Sequence, residues 1–194
     1  MRISDWSSDV CSSDLWFKYI KEAEGDIAIF SAQPTSVRWI GNERGIAGDP
    51  VWHKVKKAKI TDDVKNEYLN HGDPEGDMYS VGEADVSIRS GWFYHDNQQP
   101  KSIKDLMDIY FKSVGRGTPL LLNIPPNKEG KFAEADVARL QEFRATLDQM
   151  YATDFAKGAT VTASSTRKNQ LYQASNLTDG KDDTSWVLSN DAKT

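Results

Sequence analysis

The hydrophobic pattern changes period several times along the chain. From residue 16, WFKYIKEAEG reads as the closing turns of a helix with Gly25 as its stop. DIAIFS (26–31) is a short apolar, β-branched run suited to a buried strand, and VRWIG (37–41) is a second. A polar, Gly- and Pro-rich loop region follows, before DVSIR (85–89) restores a strand pattern. In SIKDLMDIYFKSVGRG the period becomes helical: Ile103, Leu106, Met107, Tyr110 and Val114 share a face, Ser102 stands at the N-cap with Asp105 three residues on, and Gly115 lies near the stop. PLLLNIPP is a continuous apolar run closed by two prolines, as expected for a parallel strand covered on both faces. ADVARLQEFRATLDQMY then aligns Val137, Leu140, Phe143, Leu147 and Met150 on one stripe. Such alternation predicts an α/β chain of βα units with right-handed crossovers and a parallel sheet.

The two ends break this rhythm. At Gly158 helix formers give way to Thr, Ser and Asp, Thr160, Val161 and Thr162 alternate, and Asp179-Gly180 marks a turn, so a second, all-β unit is predicted that stops unfinished. At the other end, DWSSDVCSSDL (5–15) has neither a strand nor a helix period and resembles the translation of a sequencing adapter. Read as an adapter or as a plain Ser/Asp-rich arm, it cannot offset its ordering entropy by burial, and residues 1–15 are expected to be disordered. On the adapter reading Cys11 is not native and the authentic N-terminus is missing.

Composition narrows the classes. The 194 residues suffice for one ordinary domain or one and a half, and 38% hydrophobic content can fill a core. No run of 18 apolar residues spans a membrane, and no membrane partner is expected. The net charge of −5 gives no field for attracting nucleic acid, and the Lys54, Lys56, Lys57 and Lys59 cluster reads as a solvated helix face. A single cysteine excludes an internal disulfide.

Candidate chemistry lies in the loops that follow strands. In SVRWIGNERGIAGDP, Glu43 stands between Gly41 and Gly45, with Arg38 and Trp39 at the strand end, and in a barrel of parallel strands that is the catalytic rim. A Glu in a Gly-rich loop is also common solvated surface. SIRSGWFYH (87–95) gathers Trp92, Phe93 and Tyr94 beside His95; loop aromatics suit the apolar faces of sugar rings and equally pack beneath loops. His53, His71 and His95 lack metal-ligand spacing, and neither a phosphate-binding loop nor a nucleophile elbow is present. A sugar is the ligand class these loops suit best.

VRWIGNERGIAGDPVW, SVGEADVSIRSGWFYH, IYFKSVGRGTPLLLNIPPNKEGKF and DVARLQEF, in this order, resemble the C-terminal part of the catalytic barrel of glycoside hydrolase family 29 α-L-fucosidases, in the branch preferring α-1,3/1,4-linked fucose. The resemblance implies an α/β fold, the C-terminal portion of a (β/α)8 TIM barrel over residues 16–155. It implies retaining hydrolysis with an aspartate nucleophile and a glutamate acid/base. Glu43 takes the place of the acid/base. The family's nucleophile, in a W-x-D-G motif, falls upstream of Met1, so the segment is expected to be inactive alone.

Arg38 would reach fucose and keep the nucleophile ionised, or else pair with a structural carboxylate; Trp92 would pack on the C6 methyl face; Glu83 would bond the aglycone or join an ion pair. The sequence departs from the family at Ser90, usually Pro, and at Arg44, whose cation is expected to point away from Glu43. ATVTASS and ASNLTDGKDDTSW resemble the start of a discoidin-like (F5/8 type C) β-sandwich over 156–194, giving a barrel portion followed by the first strands of a β-sandwich. There Asp179, Asp182 and Thr184 would ligate a structural Ca²⁺, or form an Asx-rich turn without metal. Catalysis needs no cofactor. The implied partner is a fucosylated oligosaccharide or glycoconjugate, and the parent protein would be secreted or periplasmic. A non-catalytic carbohydrate-binding protein is the alternative.

Overall fold

The computed structural model describes residues 18–20, 22–25, 27–31, 36–61 and 63–189; the adapter-like segment 1–15 lies outside them. Residues up to Phe143 form one compact unit and those from Arg144 a second.

The first unit is mixed α/β. Strands β1 (Phe30–Ser31), β2 (Val37–Trp39), β5 (Val81–Ser87) and β6 (Leu120–Asn123) form a parallel sheet in the order β1-β2-β5-β6. Each strand of this sheet lies beside its successor in the chain, and every connection must return to the starting end. The β2–β5 connection contains the antiparallel pair β3 (Lys54–Val55) and β4 (Met78–Tyr79) and the short helix α1 (Asn66–His71). The β5–β6 connection contains α2 (Ile103–Lys112), and α3 (Glu134–Tyr151) follows β6. No helix among the described residues is long and apolar enough to cross a membrane.

Strand periodicity sorts β5 into two faces. Gly82, Ala84 and Val86 are buried on one, while Val81, Glu83 and Asp85 are half-buried on the other. Register sets Trp39 opposite Glu83, Leu121 opposite Asp85 and Asn123 opposite Ser87, so these residues line that second face. The core beneath holds Ile40, Ala47 and Ala84 with Leu120 packed against them, and a second cluster gathers Val55, Ile60 and Leu69.

Several expectations need correction. Among the described residues DIAIFS forms strand only at Phe30–Ser31, and Phe30 is 50% exposed on β1, which ends the described sheet. PLLLNIPP is a parallel strand, but β6 is the opposite edge and Leu121 is 47% exposed, so it is not covered on both faces. The DVSIR strand begins earlier, at Val81, and ends at Ser87. The lysine cluster sits on β3 and a 3-10 turn, Lys57–Lys59, not on a helix face.

In α2 the Ser102 side chain accepts from the Asp105 N–H at 3.2 Å, the capping the sequence predicts. The helix ends at Lys112, two residues before Val114, and a 3-10 turn closes at Gly117 (φ 87°) rather than at Gly115. Ile109 therefore joins Leu106 in the interior, and Val114 is exposed. Ser102→Ala is expected to lower stability by about 1 kcal/mol, read as a lower urea midpoint at unchanged slope; an unmoved midpoint would show that the cap contributes nothing.

The stripe on α3 is displaced at its start. Asp136 is the buried residue of this helix, Val137 is exposed, and Leu140 and Phe143 are half-buried. In the second unit the described residues to 189 contain the end of α3 and the 3-10 turns Gln170–Tyr172 and Ala174–Thr178, but no strand. Thr160–Thr162 make no ladder. Arg167 N–H donates to Val187 O at 2.9 Å and Ser189 N–H to Ser165 Oγ at 3.2 Å, which ties the two segments without the repeated backbone pairing of a strand.

Candidate active site

The carboxyl ends of β2, β5 and β6 converge on one rim. After β2 the chain turns through GNERG with Gly41 at φ +77° and Gly45 at φ +70°. A Cβ at Gly41 would meet Asn66 O at 2.7 Å, and one at Gly45 would meet Ile109 Cγ2 at 2.8 Å, so both backbone conformation and packing demand glycine. Asn42 closes the turn, its Oδ1 accepting from the Arg44 N–H at 3.1 Å and its Nδ2 donating to Ile46 O at 2.9 Å. From α1, Asn70 Nδ2 donates to Ile40 O and Ile46 O, and Gly45 N–H bonds Asp85 O at 2.9 Å. The turn is thus pinned from two sides, with Glu43 and Arg44 exposed at its tip.

Glu43 meets Trp92 across the rim. The indole Nε1–H donates to Glu43 Oε2 at 2.6 Å, a short bond. The aromatic cluster that the sequence placed together is divided: Trp92 faces Glu43, Phe93 is exposed, and Tyr94 lies under the Arg89 guanidinium at 4.7 Å. Ser87 Oγ donates to Gly91 O at 2.7 Å, and Asn123 Nδ2 donates to Trp92 O at 3.0 Å and Ser87 Oγ at 3.2 Å. Neither Asn123 nor Ser87 stands out in the sequence; their positions at paired strand ends are the signal that would have found them.

Asp85 was also missed, although a period of two puts it on the face of Glu83. Its Oδ1 accepts from Trp39 Nε1–H at 2.7 Å. Burial pushes the Asp85 carboxyl up, the Trp39 bond pulls it down, and the charge of Glu43 raises it again, for a net upward shift. Glu83 is also pushed up, by burial first and by Asp85 second. With both values raised, the folded chain holds these protons to higher pH than the unfolded chain does. Their contribution to stability is complete below the ordinary carboxylate range and is lost as pH rises through the folded values. Asp85→Asn keeps an oxygen for Trp39 and cannot ionise. Between about pH 3.5 and pH 7 the urea midpoint of the variant should gain on wild type; parallel pH profiles would refute this.

Arg38, read from the sequence as a substrate contact, is engaged by the main chain. It is 1% exposed, and its guanidinium donates to the main-chain oxygens of Leu69 (2.9 Å), Trp52 (2.7 Å) and Ser80. Burial lowers its pKa to about 10. Arg38 ties β2 to the β2–β5 connection. Its partners are carbonyls, not the structural carboxylate weighed from sequence.

A cavity of about 410 Å³ adjoins the GNERG turn, lined by Asn42, Arg44, Asn70, His71 and Arg116 among others but not by Glu43 or Trp92. Glu43 is exposed and Trp92 half-buried. In the second unit, Asp179 Oδ1 accepts from Lys181 N–H at 3.0 Å, an Asx turn, and Thr184 Oγ1 lies 3.0 Å from both Asp179 oxygens. Asp182 is exposed on the same turn. Among the described residues no group of three or more His, Cys, Asp or Glu is arranged to hold a metal ion. The turn thus engages the Asp179 carboxylate and the Thr184 hydroxyl with each other.

The alpha-L-fucosidase family profile matches residues 12–150. The chain is 40% identical over 162 residues to Alpha-L-fucosidase 1 of Arabidopsis thaliana, covering 82% of this chain and 32% of that relative. Among solved structures, the crystal structure of SpGH29 superimposes with a TM-score of 0.88 at 50% identity, covering 93% of this chain and 39% of that one. A Ruminococcus gnavus GH29 fucosidase in complex with fucose follows with a TM-score of 0.80 at 40% identity, covering 91% of this chain and 38% of that one. The chain spans about a third of the length of the curated relatives it matches.

Proposed function

Because the chain belongs to the alpha-L-fucosidase family, we propose that it is the acid/base-bearing segment of a retaining α-L-fucosidase that removes terminal α-1,3/1,4-linked L-fucose from glycans. The observation that carries this reading is Glu43, presented at the carboxyl ends of parallel strands and held there by the Trp92 indole. Retaining hydrolysis needs a second carboxylate roughly 5 Å away on the other side of the sugar. The coverage of about a third of the relatives supports placing that aspartate outside this segment. The sequential parallel strand order supports the C-terminal portion of a (β/α)8 barrel for residues 16–155; residues 156–194 as the start of a discoidin-like sandwich rest on the sequence resemblance alone.

Glu43 protonates the departing sugar oxygen and later activates water; Trp92 also offers its ring to the C6 methyl of fucose, and Glu83 contacts the aglycone. No cofactor takes part. The partner is a fucosylated oligosaccharide or glycoconjugate, met by a secreted or periplasmic parent protein. For the tail we favour the metal-free Asx turn at Asp179, and micromolar calcium binding in a calorimetric titration would overturn that.

The test is release of L-fucose from a fucosyl trisaccharide by this chain and by the same chain extended upstream through its W-x-D-G aspartate. Turnover is expected only from the extended form. Full-rate turnover by the 194 residues alone would overturn the missing-partner reading, and an inert extended form would overturn the fucosidase reading.

A further inference from the structure

An indole N–H is a donor and nothing else. The Glu43 oxygen that accepts it at 2.6 Å, Oε2, cannot also direct a proton along that line. When Glu43 is protonated, Oε2 is the carbonyl-like oxygen and the hydrogen sits on Oε1. The direction of the Trp92 ring therefore decides which oxygen delivers the proton. Trp92 itself lies in the irregular stretch after β5, where no helix or strand fixes its aim.

Its aim comes from two neighbouring strand ends. Ser87 and Asn123 are Cα partners at the ends of β5 and β6. Asn123 Nδ2 holds Trp92 O at 3.0 Å, an orientation that follows from the partner, because a carbonyl oxygen can only be served by the amide NH₂. The other Nδ2 contact, to Ser87 Oγ at 3.2 Å, ties it to the hydroxyl that donates to Gly91 O and accepts from Arg89 N–H. The hydroxyl thus uses its one donor and both acceptor sites. Sheet register is passed through these two side chains to the carbonyls of Gly91 and Trp92.

We propose that Asn123 and Ser87 are positioning residues for Glu43, acting through Trp92 to make Oε1 the oxygen that carries the transferable proton; this rests on the acid/base role given to Glu43 above. In the first step Oε1 gives its proton to the glycosidic oxygen, which takes the electron pair of the breaking bond to the anomeric carbon while the aspartate oxygen bonds that carbon. In the second step a water proton passes to Oε1 as the water oxygen replaces the aspartate. A turn that only stabilised the loop would leave the Trp92–Glu43 bond intact when Asn123 is lost.

The indole N–H resonances of the chain provide the first test, with the Trp92 signal identified by its loss in Trp92→Phe. In wild type this signal should lie away from the position of a free indole, and Glu43→Ala should bring it there. Asn123→Ala should also shift it toward that position, while the Trp39 signal, held by Asp85 within the sheet, stays in place. An unchanged Trp92 signal overturns the proposal. If Trp39 also moves, Ser87→Ala is read by the same criterion.

In the extended chain, Asn123→Ala should lower kcat/KM, which reports the first step, about 10- to 100-fold on a sugar leaving group. On an aryl fucoside whose leaving group needs no proton, kcat/KM should be nearly unaffected, while kcat falls wherever the second step limits it. Equal losses of kcat/KM on both substrates overturn the proposal. If the unsubstituted extended chain releases no fucose from either substrate, the functional reading has failed, and the resonances still decide the positioning.

Discussion

Glu43→Gln is expected to lower kcat/KM on a fucosyl oligosaccharide by roughly 10²- to 10⁴-fold in the chain extended through its aspartate. A sugar alkoxide is a poor leaving group, and glutamine keeps the oxygen that Trp92 holds while removing the proton that the departing oxygen requires. The first step on an aryl fucoside with an acidic phenol needs no such proton, so its rate should fall far less. The bonds around Asn42, Asn70 and Gly45 support this placement, because they fix the turn without using the Glu43 carboxylate. Activity within tenfold of wild type on the oligosaccharide would remove Glu43 from the chemistry.

Asp136→Ala carries the largest expected loss of stability, about 3 to 5 kcal/mol. Arg89 is 3% exposed and Asp136 fully buried, and Arg89 Nε lies 3.1 and 2.9 Å from the two carboxylate oxygens. Arg89 Nη1 also donates to the main-chain oxygens of His95 and Gln98, so the pair joins α3 to the loop that carries Trp92. Truncating Asp136 leaves a guanidinium buried without its counter-charge, which costs far more than the net contribution of the intact pair. Replacing both residues with apolar side chains should recover most of the loss. Breaking an exposed pair such as Lys128–Asp96 should move the midpoint far less, because solvent screens the two charges. Denaturant midpoints compare the three cases, and an Asp136→Ala midpoint equal to that of the exposed pair would refute the ranking.

The same pair shows where sequence reading stops. Arg89 was legible only as the last residue of a strand pattern, and Asp136 as a polar position early in a helix. Their partnership spans 47 residues and no local period reports it. Arg38 is a sharper case. Its place at a strand end suggested a hand on the sugar, but three carbonyls from distant parts of the chain claim its guanidinium. The helix α1 escaped notice because its six residues bury only Leu69, too little for a periodic signal.

What the sequence by itself determined is what depends on neighbours within a turn or two: the Ser102 cap, the Gly25 stop, the strand and helix periods that announce a parallel α/β sheet, and Glu43 between two glycines just beyond a strand. Tertiary structure alone decided the rest: which strands became exposed edges, that Arg38 is a tether, and that Trp92 points its N–H at Glu43 because Asn123 and Ser87 meet at paired strand ends. The physical reason is range. Backbone propensity and capping act between residues close in sequence, whereas burial and side-chain hydrogen bonds act between groups that only the folded chain brings together.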